Sequence, residues 1–160
     1  MKCMTCGTRM TARRENYKYD ACGLSGVTLV GVEVRRCRQC GEHEVVIPRI
    51  EGLHREIALA LIRKAAKLVP DEIRFLRKHL GWSGADFAAH LGVTPEAVSR
   101  WERGRAAMGI SAERLLRLAV AHLEPASDYS LDVLKSVAAR SASPLRLGLS
   151  VGPKGWRAAA

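Results

Sequence analysis

The chain opens with Cys3-Met4-Thr5-Cys6-Gly7 and repeats the arrangement as Cys37-Arg38-Gln39-Cys40-Gly41. Each C-x-x-C turn sets two sulfurs on one side of a tight loop, and the glycine that follows lets the backbone bend so that amides face the sulfurs. Four thiolates can then surround one ion tetrahedrally and tie the start of the chain to residue 40. The bracketed segment has few large apolar residues, so it needs such a staple. The expected ligands are Cys3, Cys6, Cys37 and Cys40, and the expected cofactor is one structural Zn2+ per chain. Four cysteines fill the coordination sphere and leave no open position for water, so the ion is expected to hold the fold rather than do chemistry. A redox dithiol would need a single C-x-x-C at a strand-to-helix corner of a parallel sheet, and neither pair has that setting. Disulfides belong to secreted chains; no signal peptide precedes Cys3, and a cytoplasmic location is expected. Cys22 has no C-x-x-C partner and reads as an unligated, partly buried thiol, with a replacement ligand as the alternative. His43 reads as a surface residue at a strand start, and His54, His79, His90 and His122 have no ligand spacing among them.

The second constraint is punctuation between residues 73 and 104. Ser83 can cap a helix with Phe87, Ala88 and Leu91 inward, and Gly92 stands where a left-handed residue ends it. Thr94 then caps a second helix, and Pro95 sits at its first position, where a missing N–H costs nothing. Val98 and Trp101 recur on one face before Gly104 stops the run. Two short helices around a tight turn are the layout that sets a helix in the DNA major groove. With Val98 and Trp101 in the core, Glu96, Ser99 and Arg100 face outward as candidate base readers. Arginine can donate two hydrogen bonds to a guanine, and glutamate can accept from a cytosine amino group. Ser83, Thr94, Arg103 and Arg105, at the helix starts and just after the second helix, are the expected phosphate contacts. Helices are also expected over 71–80, with Ile73, Leu76 and Leu80 inward, and from Ser111, with Leu115, Leu118 and Ala119 on one side. In lambda-repressor-like domains, which this stretch resembles, residues placed like Arg77 and Asp86 form an ion pair tying two helices; the resemblance implies the same pair here.

The rest of the chain fits an α+β reading. Residues 1–50 are expected to be a small zinc-bound domain with short antiparallel strands at 27–34, where Val30, Val32 and Val34 alternate, and at 44–47. A linker helix follows over 51–69, with Leu53, Ile57, Leu61 and Leu68 on one stripe and Val69-Pro70 ending it. Residues 70–124 form the all-α helix-turn-helix domain. Residues 125–160 carry one more helix over 128–139 and a mobile tail, although Leu145, Leu147, Leu149 and Val151 alternate like a strand able to pair with an edge. Two small domains is the expected count. The formal net charge of +10 suits a phosphate-bearing partner, but the excess is spread along the chain: residues 1–50 carry nine Lys and Arg against five acids, and residues 71–123 eight against six. No apolar run approaches membrane-spanning length. Nothing supplies a catalytic base, an open metal position or a substrate cleft, so an enzyme is not expected.

The order of motifs, two C-x-x-C-G turns, a linking helix and a helix-turn-helix ending Ser99-Arg100-Trp101-Glu102-Arg103-Gly104, resembles the MqsA/YgiT-type zinc-finger antitoxins over residues 1–120. The resemblance implies a zinc domain that neutralises a small toxin, commonly an mRNA-cleaving ribonuclease. It also implies a helical domain that dimerises and represses its own palindromic promoter. In that family an asparagine and an arginine of the recognition helix read bases; Arg100 matches the arginine, whereas Glu96 stands in the asparagine's place. A two-fold operator needs two recognition helices at fixed spacing, which favours a homodimer through the helical domain at Leu116, Val120 and Leu123. A stand-alone zinc-containing regulator without a toxin is the alternative.

Overall fold

A computed structural model describes residues 1–124, 128–137 and 140–160. The alternating run Val27–Arg36 forms a long strand, β2, and the sheet is built around it. β1 (Thr11–Lys18) pairs antiparallel along one side of β2, and β3 (His43–Val45) takes the other side at residues 34–36. That side is completed from the far end of the chain. β4 (Leu147–Gly152) runs parallel to β2 at residues 27–29, and β5 (Gly155–Ala158) turns back along β4. The tail expected to be mobile therefore completes the N-terminal sheet. Leu149 and Trp156 are buried there, and the Trp156 Nε1–H donates to the Pro48 carbonyl at 2.7 Å. A Cβ at Gly26 would lie 1.9 Å from the Leu145 carbonyl oxygen, so the close approach of the two segments needs glycine.

The alternation in β2 changes phase at Gly31, whose φ is +65°, opposite a register shift in β1 between Glu15 and Tyr17. Val27, Leu29, Val32 and Val34 are buried, while Val30, expected on the same face as Val32, lies on the other. The extra residue at the bulge rotates the strand by half a period.

Helix α1 (Ile50–Arg63) lays Leu53, Ile57, Ala58, Leu61 and Ile62 against the inner face of the sheet and against the remaining helices. Those are α2 (Pro70–His79), α3 (Gly84–Leu91), α4 (Pro95–Glu102) and α5 (Ile110–Leu123), followed by a short α6 (Asp132–Val137). The end of the helix expected over 128–139 falls outside the described residues. Because α1 serves both halves, one continuous apolar core runs from Leu29 to Trp101 and Val120, and the expected boundaries at 50/51 and 69/70 cut through it. No helix among the described residues is long and apolar enough to cross a membrane.

Two expectations fail for the same reason, a buried polar pair on α5. The linker helix ends at Arg63 rather than at Val69, because Arg117 reaches across to accept the role of backbone partner. Its Nη1 donates to the carbonyls of Ile62 and Lys64 (3.1 and 2.5 Å) and its Nη2 to that of Ala66 at 2.8 Å. Glu113, 2.8 Å from Arg117, takes the Leu68 N–H at 3.0 Å. Irregular backbone can be buried only when its polar groups are met, and this pair meets them. The face of α5 that carries Glu113 and Arg117 is consequently the buried one, with Leu116 and Val120 at 0% exposure. Leu115 and Leu118, expected inward, are 45% and 37% exposed. Leu116 and Val120 therefore cannot form the expected dimer contact, whereas Leu123, 49% exposed, is free to do so.

Candidate nucleic-acid interface and metal centre

Local chemistry sets the helix-turn-helix. Ser83 Oγ accepts from the Asp86 N–H at 3.0 Å, and the Asp86 carboxylate takes the Ser83 N–H and hydroxyl at 2.8 and 2.6 Å. This reciprocal cap opens α3. The Ser83 hydrogen bonds hold the Asp86 carboxyl below the usual carboxylate range. Gly92 closes α3 with φ +65°, a value a side chain disfavours. Thr94 Oγ1 accepts from the Ala97 N–H at 3.2 Å and opens α4 with Pro95 at its first turn. Val98 and Trp101 are buried, and Trp101 meets Phe87 edge to face with ring centroids 6.4 Å apart. Glu96 and Arg100 are exposed on the opposite face of α4, Ser99 is half-buried between, and Arg103 and Arg105 are exposed where the chain leaves the helix.

The ion pair expected between Arg77 and Asp86 is not formed. Asp86 is committed to the cap of α3, and Arg77 instead grips Glu102 with both arms, Nε to Oε1 at 2.5 Å and Nη2 to Oε2 at 3.1 Å. Its third nitrogen donates to the Trp82 carbonyl at 2.8 Å. The Glu102 contact pushes the Arg77 guanidinium further up. Arg74 adds Nη2 to the Glu102 carbonyl at 2.6 Å. Sequence reading missed Glu102, but a signal was there: an acid in the last turn of a helix opposes the helix dipole and is best tolerated with a cationic partner. The two arginines of α2 thus fix the end of α4, which sets the angle at which Glu96 and Arg100 are presented.

At the other end of the molecule the two C-x-x-C turns come together. Cys3 Sγ lies 3.6 Å from Cys40 Sγ and Cys6 Sγ 3.4 Å from Cys37 Sγ, and all four sulfurs lie within 4.8 Å of one another. A disulfide would need about 2.05 Å. Tetrahedral ligands 2.3 Å from a zinc ion stand about 3.8 Å apart, close to the observed spacing, so the donor set fits a metal ion. The turns are alike: the Gly7 and Gly41 amides donate to the carbonyls of Cys3 and Cys37 at 2.9 and 3.1 Å, and both glycines have positive φ. Hydrogen bonding from Thr8 lowers the Cys6 thiol to about 6. Cys40, despite a Glu42 backbone hydrogen bond that lowers it, is pushed up to about 12 by desolvation and by the Cys3, Cys37 and Cys6 thiols. Packed thiols resist ionising together until a cation neutralises them. Cys22 is far from this cluster in role: half-buried, it donates to the Tyr19 carbonyl at 3.1 Å, and burial raises its thiol. His43, the first residue of β3, is exposed.

A search of the curated proteins finds no match to this chain. The family comparison addresses the helical half and leaves the cysteine-bearing sheet outside the match. Residues 73–122 match the family model HTH_3, Helix-turn-helix, so this part of the chain is similar to helix-turn-helix domains.

Proposed function

We propose that the chain is a DNA-binding transcriptional repressor that acts as the antitoxin of a toxin–antitoxin pair and represses its own promoter. The observation that carries the DNA part is α4: one face locked into the core, the other presenting Glu96 and Arg100 to solvent. Arg100 reads a guanine, Glu96 a cytosine amino group, and Ser99 contacts a base edge beside them. Ser83, Thr94, Arg103 and Arg105 meet phosphates at the helix starts and behind α4. Ser83 and Thr94 already cap helices, so their contribution is to hold the first-turn amides of α3 and α4 toward the backbone. The cysteine cluster holds one structural zinc, and the order of cysteine-stapled sheet, linking helix and helix-turn-helix supports assigning toxin binding to the sheet half. Two copies pair through the exposed apolar side of the helical half, where Leu115 and Leu123 border a groove with Leu80, Trp82 and Leu91.

The test is selection of bound sequences from a pool of randomised duplexes. The full chain is expected to recover an inverted repeat whose half-sites are centred about one helical turn, or a multiple of it, apart. Recovery of no consensus would contradict the reading. Where a small growth-arresting protein is encoded beside it, co-expression of the chain should restore growth; absence of such a protein, or failure to restore growth while the consensus is found, favours a stand-alone regulator.

Zinc binding free energy in structural sites is on the order of ten kcal/mol. Its loss is nevertheless expected to act locally. Cys3, Met10 and Cys37 form a small cluster apart from the main core, which holds Val27, Leu29, Val32 and Val34. Cys37→Ser should release the metal and speed amide exchange across residues 1–10 and 37–42 while the amides of β2 between 27 and 34 keep their protection. Mass-spectrometric metal content and hydrogen exchange check this; exchange spreading through β2 would show the metal to be the keystone of the whole sheet.

A further inference from the structure

The junction between the sheet half and the helix-turn-helix contains a cavity of about 340 Å3 that the DNA reading does not use. Its walls come from three elements: the single 3-10 turn Asp20–Cys22 between β1 and β2, His54 of α1, and one side of α2 with Arg74, Phe75, Lys78 and His79. Its charge is one-sided. Arg74 and Lys78 are fixed cations, and Asp71 is the only acid in the lining. Lys78 has no ion-pair partner among the described residues, and Asp71 is already shared with Arg74 at 3.6 Å. Each imidazole is held by one nitrogen: His54 Nε2 lies 3.0 Å from Tyr19 Oη, and His79 Nε2 lies 3.2 Å from Glu124 Oε1. Phe75, buried between the two imidazoles, stacks on His79 and meets His54 edge to face.

We propose that this cavity binds a small organic anion, a di- or tricarboxylic acid, and that the bound anion tunes presentation of α4 through Arg74. The chemistry follows from the walls. An arginine fork beside a lysine recognises carboxylates, and the phenyl ring and Ala21 give the carbon skeleton an apolar surface. The volume is at the small end for ligand sites, which suits a small acid. The site also sits at a lever. Arg74, a residue of the cavity wall, contacts Glu102 at the end of α4 through its guanidinium, with Nε 3.7 Å from Oε2 and Nη2 on the carbonyl. A carboxylate drawn into the cavity competes with Glu102 for that guanidinium, so ligand and recognition helix share one residue. Burial and the neighbouring His79 keep the His54 imidazole below its ordinary value, a bias that an anion in the cavity opposes.

The linkage to α4 rests on the DNA reading above, whereas the site itself does not, and the two are separated by measuring them differently. Histidine side-chain NMR of the full chain is recorded during titration with citrate and with succinate, against chloride at matched ionic strength. His54 and His79 are expected to shift saturably, with His43, His90 and His122 unmoved as internal references. Lys78→Ala, a surface change, should weaken the response about tenfold, and Lys154→Ala should leave it intact. No saturable shift with either acid, equal shifts in all five histidines, or a response that survives Lys78→Ala would overturn the site. Affinity for the selected inverted repeat is then measured with and without the acid, and a change of several-fold is expected. An unchanged affinity alongside a His54 and His79 response would overturn the linkage through Arg74 and leave the site standing.

Discussion

Replacing Arg117 by methionine is expected to cost about 3–5 kcal/mol, the largest loss from any single polar substitution in this chain. The guanidinium has no exposure and holds Glu113 and the carbonyls of Ile62, Lys64 and Ala66. Removing it leaves a carboxylate buried at 1% exposure without its counter-charge and the Lys64 and Ala66 carbonyls without their side-chain donor, while the Ile62 carbonyl keeps the Tyr129 hydroxyl at 3.1 Å. A buried ion pair need not be a net source of stability, since both charges are desolvated; breaking it from one side is what is expensive. The double variant Glu113→Leu with Arg117→Met is therefore expected to recover a large part of the loss, although the linker carbonyls stay unmet. Urea unfolding at equilibrium measures both. A single variant within 1 kcal/mol of the parent would show that water reaches the linker and that the pair does not organise it.

Trp156→Ala is expected to cost a similar amount, about 3–5 kcal/mol, from a residue near the very end of the chain. The indole is 6% exposed, packs beside Gly52 of α1 and donates to the Pro48 carbonyl. It pins β5 over the start of α1, and with it β4 against β2. In a chain of this length the loss corresponds to a fall in melting temperature of roughly 10 °C or more. The mobile-tail expectation makes the opposite prediction, no change in melting, so one thermal scan decides between them.

Legibility in the sequence followed how local the cause was. The helix-turn-helix could be read because its boundaries are set by neighbours in sequence: Ser83 and Asp86, Gly92, Thr94 and Pro95, Gly104. The cysteine turns could be read for the same reason, each being a five-residue unit, and their meeting needed only that both be present. Features settled by distant partners were not legible. The pattern Leu145, Leu147, Leu149, Val151 announced a strand, yet nothing in it names β2, more than a hundred residues earlier, as its parallel partner. β1 went unread because TARRENYK is charged and lies at the sheet edge, where only alternate residues are covered and Glu15 is paired with Arg36. The facing of α5 was inverted because Glu113 and Arg117 made its buried side look like the wet one; apolar periodicity misleads when the core contains a satisfied ion pair. Arg77 was matched to the wrong acid because the nearer carboxylate, Asp86, was already spent on a helix cap.

The central claim is that α4 reads base pairs through its exposed face, and its most direct measurement is the ratio of affinities for the selected inverted repeat and for random duplex, in Arg100→Ala and in Arg105→Ala. Arg100→Ala is expected to lose roughly 1–3 kcal/mol on the repeat and little on random DNA, and to relax the choice of base at one position per half-site. Arg105→Ala is expected to weaken both duplexes alike and to lower the dependence on salt. Equal loss on both duplexes for Arg100→Ala would make it a phosphate contact only and contradict base reading by α4.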